Sequence, residues 1–326
     1  MEAASVSGRW LGAVSLGWMN SPDRDLQGYL DQLIDDLRDQ DDGEPNPLPV
    51  HANADLSRFA IAVVDTDGNV TASGDAEFAF PIQSMSKAFV YALAIECLGL
   101  AEVNRYIDVE PSGEAFNRIA LDPGSNRPAN AMINAGAITA HSLVTGPDAE
   151  HRVDRILALL SRMAGRDLAV NEDCFSQEME DAHRNLAIAH MLKTVSELPD
   201  EPHGVVTGYT RQCAIEASTI EYARMGATLA NRGVVPGTED RCLAEEHVRH
   251  VLGVMLTCGM YDSAGDWVST VGLPAKSGIG GGIIGVVPGR CGIAVHSPRL
   301  DQHGNSVRGI LAFERMSEDL GLHVLR

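Results

Sequence analysis

The stretch Ile82-Gln-Ser-Met-Ser-Lys-Ala-Phe-Val-Tyr-Ala-Leu-Ala-Ile95 joins a short polar turn to a run with almost no polar position. From Met85 to Leu98 the spacing predicts a helix that is apolar all round, and a helix without a polar face belongs inside a protein. Its first turn carries Ser84 and Lys87, an S-x-x-K pair. Side chains three apart share a helix face, so hydroxyl and amine can meet. A serine hydroxyl is a weak nucleophile until a base takes its proton. Lysine is ordinarily charged, with a pKa of ~10.4. Burial, or a second cation nearby, lowers that value and frees the lone pair. The helix start also offers backbone N–H groups to a developing oxyanion. Read alone, the four-residue pattern is weak and favours an ordinary polar helix start with a surface lysine. Two features weigh against that. The helix is apolar, and only Lys87, Lys193 and Lys276 are lysines among 25 basic residues. Arginine cannot give up its proton, so the few lysines are candidates for sites where a removable one matters. Lys193 reads as the polar side of a helix.

Upstream of this stretch, residues 24–41 carry Leu26, Leu30, Leu33, Ile34 and Leu37 at helical spacing. Asp41-Asp-Gly-Glu-Pro-Asn-Pro-Leu-Pro49 breaks the pattern into an irregular loop. Phe59–Asp65 reads as a buried strand, Asp67-Gly68 as a tight turn, and Val70–Ser73 as the returning strand. Downstream, from about 100 to 260, the patterns are mainly helical. Val153–Met163 is one helix, and Leu243–Cys258 is another. Between them Ser218-Thr-Ile-Glu221 is a capping box that opens a helix to Ala230, with Gly233 past its end. The chain then turns to β: Gly280–Val287, Cys291–Ser297, a Gly304-Asn305 loop and Val307–Ala312, before a tail helix from Phe313 to Leu320 that stops at Gly321. The order predicts an α+β fold in which an antiparallel sheet made from both chain ends holds an inserted helical domain.

Lys276-Ser277-Gly278 is the second chemical signal, at the start of an edge strand. A K-[ST]-G triplet there is the expected companion of S-x-x-K in the β-lactamase and penicillin-binding class. Its glycines allow a substrate to lie close against backbone.

The chain has 326 residues and a formal net charge of -20. Phosphate-rich partners need a positive surface, so nucleic acid is excluded as the expected partner. The six cysteines are scattered with no C-x-x-C pair, which argues against a zinc ribbon or a disulfide framework and for reduced thiols in a cytoplasmic protein. Residues 1–24 read as an N-terminal extension of unassigned role. Their apolar stretch Trp10–Trp18 lacks the long core and basic start of a signal peptide. No segment is long enough to span a membrane. His247 and His250 lie three apart on a helix with no third ligand in view, and no phosphate-cradling loop is present. Neither a metal nor a cofactor is expected.

Six blocks in order resemble the serine-dependent glutaminases, which have a β-lactamase-like fold. They are Ile82–Lys87, Glu110-Pro-Ser-Gly113, Asn134-Ala-Gly-Ala-Ile138, Cys258-Gly-Met-Tyr-Asp262, Ala275-Lys-Ser-Gly-Ile-Gly-Gly-Gly282, and Ser297-Pro-Arg-Leu-Asp301 running through Gly304-Asn-Ser-Val-Arg308. The resemblance runs from about residue 25 to the C-terminus, implying a single catalytic domain over 25–326 with a helical subdomain at about 100–260. It implies that Ser84 attacks the side-chain amide of glutamine, that Lys87 is its base, and that Tyr261 helps move protons. It implies an oxyanion hole from the N–H groups of Ser84 and Ile279. Asn134, Glu178, Asn185 and Tyr209 match positions that hold the substrate. A carboxylate facing the substrate ammonium, and amides and a hydroxyl facing its carboxylate, make physical sense. A homodimer or homotetramer is implied in the same way. Two departures stand out. Where the family has a D-Y-I-P segment whose tyrosine lines the pocket, this chain has Asn46-Pro-Leu-Pro49, with Pro47 at the tyrosine's place. Where the family has N-P, this chain has Asn130-Ala131. Three functions therefore stay open: a glutaminase, another S-x-x-K amidase or β-lactamase-like hydrolase, and a degenerate member that binds glutamine without turnover.

Overall fold

The computed structural model describes residues 25–48, 51, 54–111, 121, 124–195, 198 and 200–326. The Trp10–Trp18 stretch and the end of the Glu110–Gly113 block lie outside them. Strand β1 (Ala60–Asp65) turns back at Asp67-Gly68 into β2 (Val70–Gly74). Asp65 fixes the turn: its carboxylate accepts from the backbone N–H groups of Asp67 and Asn69 and from the Asn69 side chain. A short β3 (Ala79–Pro81) leads to the buried helix Ser86–Leu98. The helical insert follows, interrupted by β4 (Ala169–Val170) and β5 (Ile215–Ser218). The chain returns through β6 (Ala275–Ser277), β7 (Gly282–Val287) and β8 (Cys291–His296).

Five strands form one antiparallel sheet in the order β2-β1-β8-β7-β6, with Ala60 opposite His296 and Ile284 opposite Ala294. Both chain ends therefore build it, as the sequence predicts. Every residue of β1, β7 and β8 is buried, which follows from helices on both faces. Successive strand side chains point opposite ways. Ala62, Val64, Ile284, Val286 and Ala294 face a core shared with Ser86–Leu98, Thr219–Ala230 and Glu245–Cys258. Ile61, Val63, Ile283, Ile293 and Val295 face the helices Leu26–Leu37 and Val307–Leu320. Thr219–Ala230 comes so close that a Cβ at Gly292 would lie 2.1 Å from Ala227 N. The predicted capping box is present at its start, with Ser218 and Glu221 each bonding the other's backbone.

Two sequence readings are corrected. Val307–Ala312 is not a strand but the first half of one helix, Val307–Leu320. Ser306 caps it by accepting from Gly309 N, and Gly309, Ala312, Phe313 and Met316 form a buried stripe at helical spacing. The helical stretch between 100 and 260 also conceals two strands, β4 and β5, which pair antiparallel with each other and, through β5, with β3 in a second, three-stranded sheet. Elsewhere the boundaries shift by a few residues, as at Ala149–Ala164 and Glu245–Cys258.

Candidate active site

The nucleophile candidate sits where the second sheet ends. Ile82 N donates to Ile215 O at 2.8 Å, fastening the chain to β5 just before it turns. Gln83–Met85 then form a single 3-10 turn, and the α-helix proper starts only at Ser86. Ser84 is thus in the turn ahead of the helix, not in its first α turn, while Lys87 lies in the helix. Gln83 has φ 52°, a left-handed conformation that a residue with a side chain adopts only when its surroundings hold it there.

Ser84 borders a cavity of about 510 Å³ that also reaches Gln83, Asn134, Glu178, Asn185, Tyr209 and Ile279. Of the residues expected to hold substrate, Ser84, Asn134, Glu178, Asn185, Tyr209 and Ile279 therefore meet at one opening, while Tyr261, also expected there, stands behind Ser84 and does not line the cavity. Asn134 begins the helix Asn134–Leu143, Glu178 lies in Glu172–Glu180, Asn185 in His183–Val195, and Tyr209 in Pro202–Cys213. Helices from distant parts of the insert meet the turn because Ile138, Ile188, Leu192, Val205 and Val206 pack as one apolar cluster behind them.

Lys87 is fully buried, and its Nζ donates to Asn134 Oδ1 at 2.6 Å. Asn134 in turn donates through Nδ2 to Asn185 Oδ1 at 3.1 Å. Burial lowers the Lys87 pKa to about 8, slightly opposed by the Cys213 thiol. Tyr261 comes from the turn Tyr261–Ser263 that follows Glu245–Cys258. Its own φ is 54°, again left-handed. Its hydroxyl donates to Ser277 O at 3.2 Å and shares a hydrogen bond with Ser84. Burial raises its pKa above the ordinary tyrosine value.

Lys276 lies behind that ring, also fully buried. Its Nζ donates to Gly259 O at 2.9 Å and to Ser277 O at 2.7 Å, and it stands 4.2 Å from the centre of the Tyr261 ring. Burial pushes this amine well below the usual lysine range, and the charge of Lys87 pushes the same way. Lys193, the third lysine, donates to Leu198 O, a local bond away from the site.

Glu178 accepts from Gln83 Nε2 and from Cys174 Sγ. Burial raises its pKa, with those two bonds acting against the rise. A bound ammonium would restore the charged form. Sequence reading passed over Gln83, Cys213 and Thr210 as cavity residues. A signal existed for one of them: Cys213 lies four residues after Tyr209, on the same helix face. Burial pushes its thiol up to about 12, so it is no ready nucleophile. Asn46, Pro47 and Leu48 form another part of the cavity wall. His247 and His250, weighed as a metal pair, bond instead to Glu96 and to the Tyr91 hydroxyl. All six cysteines are free thiols. Among the described residues no helix is long and apolar enough to cross a membrane.

Comparison with known proteins places this geometry in context. A family model described as Glutaminase matches residues 44–325. A curated glutaminase of Corynebacterium glutamicum is 46% identical over 300 residues, covering 91% of this chain and 72% of that protein. The glutaminase of Microcystis aeruginosa is 45% identical over 300 residues, covering 92% and 89%. Among solved structures, Mglu in its glutamate form superposes with a TM-score of 0.88 at 46% identity, covering 91% of this chain and 69% of that one. A probable glutaminase of Bacillus subtilis gives a TM-score of 0.86 at 31% identity, covering 94% and 98%.

Proposed function

The chain belongs to the glutaminase family, and from that premise we propose that it hydrolyses the side-chain amide of L-glutamine to L-glutamate and ammonia through an ester on Ser84. One observation carries the mechanism. A buried amine with a lowered pKa, Lys87, lies one helical turn from a buried serine that faces a polar cavity.

Neutral Lys87 takes the Ser84 proton as Oγ bonds to the carboxamide carbon. The carbonyl oxygen becomes an oxyanion, held by the N–H groups of Ser84 and Ile279. Collapse breaks the carbon–nitrogen bond. The leaving nitrogen takes the proton from Lys87, with Tyr261 as the intervening hydroxyl, and departs as ammonia. Water then attacks the ester and gives its proton to Lys87. The Oγ–carbon bond breaks, Oγ regains a proton, and glutamate leaves. Throughout, Glu178 holds the substrate ammonium, and Asn134, Asn185 and Tyr209 hold its carboxylate. No step needs a metal or a cofactor.

The five-stranded antiparallel sheet with a helical insert supports a β-lactamase-like arrangement for this fold. We read residues 25–326 as one catalytic domain, working in the cytoplasm as a homodimer or homotetramer. Ammonia release from L-glutamine, beside L-asparagine and a chromogenic β-lactam, tests the assignment, with Ser84→Ala as control. Release from glutamine that disappears in the variant is the expected result. Turnover of the β-lactam instead would favour the wider class of S-x-x-K hydrolases.

A further inference from the structure

The residue ahead of the nucleophile is in the left-handed region, and its carbonyl is held by a buried chain of side chains that does not itself line the cavity. Gln83 O accepts from Ser86 Oγ at 2.8 Å. Ser86 Oγ accepts from Gln212 Nε2 at 3.1 Å. Gln212 Oε1 lies 2.8 Å from His141 Nδ1. All three side chains are 0% exposed.

The direction of each bond follows from the first. Ser86 Oγ gives its proton to the carbonyl and accepts from the amide nitrogen of Gln212, and it also meets the thiol of Cys213, a cavity residue. The Gln212 oxygen then needs a donor, so His141 carries its proton on Nδ1. Burial lowers the His141 pKa to about 4, which keeps the ring neutral near pH 7. His141 Nε2 has no partner among the described residues. It nests against Gly208, where a Cβ would come within 2.2 Å of it. A glycine at 208 is what lets the ring approach.

The chain joins three helices that each bring a residue to the site. Ser86 opens the nucleophile helix. His141 shares a helix with Asn134, the partner of Lys87. Gln212 shares one with Tyr209. A left-handed residue persists only where its neighbours over-determine it, and a buried, continuous chain of hydrogen bonds does that with low tolerance for movement.

We propose that Ser86, Gln212 and His141 are positioning residues that hold the Gln83 carbonyl, and through it the Ser84 backbone, in the geometry acylation requires. The inference rests on Ser84 being the nucleophile. A network that merely stabilises the fold would lower the melting temperature and leave the folded enzyme's kcat alone. A positioning chain lowers kcat in the folded protein while substrate binding stays in place.

The test uses Ser86→Ala, Gln212→Met and the double variant in the full chain, with Ser84→Ala as control. Steady-state kcat and KM for L-glutamine, calorimetric binding of L-glutamate and melting temperature are measured for each. We expect each single change to lower kcat about tenfold or more, since small misplacements of reacting groups have effects up to ~10²-fold. KM and glutamate affinity should move less than about threefold. The double variant should lose no more than the worse single, because either break releases the same carbonyl. Ser86→Cys, near in shape and still a weak donor, should fall between serine and alanine and covers the case in which a larger change fails to fold. Folded variants with parental kcat, a loss confined to KM, or single effects that multiply in the double would each overturn the proposal while an inactive Ser84→Ala kept the nucleophile standing. Turnover by Ser84→Ala would bring down both readings.

Discussion

Lys87 and Lys276 are both 0% exposed and lie near enough to repel each other, yet they are held in opposite ways. Lys87 extends from a helix toward an amide oxygen that is itself part of the cavity wall. Lys276 extends from the edge strand β6 into two main-chain carbonyls and the face of Tyr261. In the proposed reaction the first amine takes a proton from Ser84 and returns it to the leaving nitrogen. The second binds Gly259 O and Ser277 O, tying the Tyr261 turn to the β6 strand. One residue type thus serves two purposes, and the acceptors around each decide which.

The largest effect that can break this contrast lies at position 87. In the proposed reaction Lys87→Arg keeps a charge but loses the base, so kcat should fall by ~10²–10⁴-fold with normal folding, read by ammonia release and circular dichroism. Retention of more than about a tenth of the activity would remove Lys87 from the base role. The pH profile sharpens the same point. Only neutral Lys87 accepts a proton, so kcat/KM should rise with pH through about 8 and fall nearly tenfold per unit well below it. A profile flat from pH 6 to 9 (roughly the range in which that group titrates) would contradict the assignment.

Stability should separate the two lysines in the other direction. Lys276→Met removes one donor from each of two buried carbonyls, which keep Ser277 N–H and the Tyr261 hydroxyl, at about 1 kcal/mol per lost bond, which should appear as a drop in melting temperature. Lys87→Met loses one bond, to Asn134 Oδ1 at the cavity wall, and should cost less than Lys276→Met. The folded pKa of Lys87 lies below the unfolded value of ~10.4, so its protonated form opposes folding below pH about 8, and that opposition fades as pH rises toward the unfolded value. The cost of Lys87→Met should therefore be smallest below pH 8. Equal losses of melting temperature for both variants would erase the distinction drawn here. The smallest effect is expected at the cavity wall. Pro47→Tyr restores a hydroxyl where the family carries one, and should lower KM for glutamine a fewfold with little change in kcat. A shift in kcat alone would place position 47 closer to the chemistry.

Much of the site was legible in sequence, and the reason is local. Ser84 and Lys87 lie three apart, and Lys276-Ser277-Gly278 is contiguous, so short blocks carried the candidate reactive groups. Their closure around one cavity with Asn134, Glu178, Asn185 and Tyr209 could be inferred only by resemblance, because no sequence pattern states which helix faces which. Strands β4 and β5 escaped notice because two and four residues are too few to show a period of two. Val307–Ala312 was misread because a short apolar run fits strand and helix alike. The capping serine and the continuation to Phe313 and Met316 decide for helix.

By itself the sequence determined the parts whose physics is short-range. These are the apolar helix that must be buried, the hairpin at Asp67-Gly68, the capping box at Ser218, and the serine and lysine three apart. Tertiary structure decided what depends on burial and on partners far along the chain. It gave Lys87 a lowered pKa by enclosing it, and it set Lys276 against carbonyls. It also linked Ser86 to Gln212 across 126 positions. Desolvation and hydrogen-bond geometry are properties of surroundings, and a residue's surroundings exist only once the chain has folded.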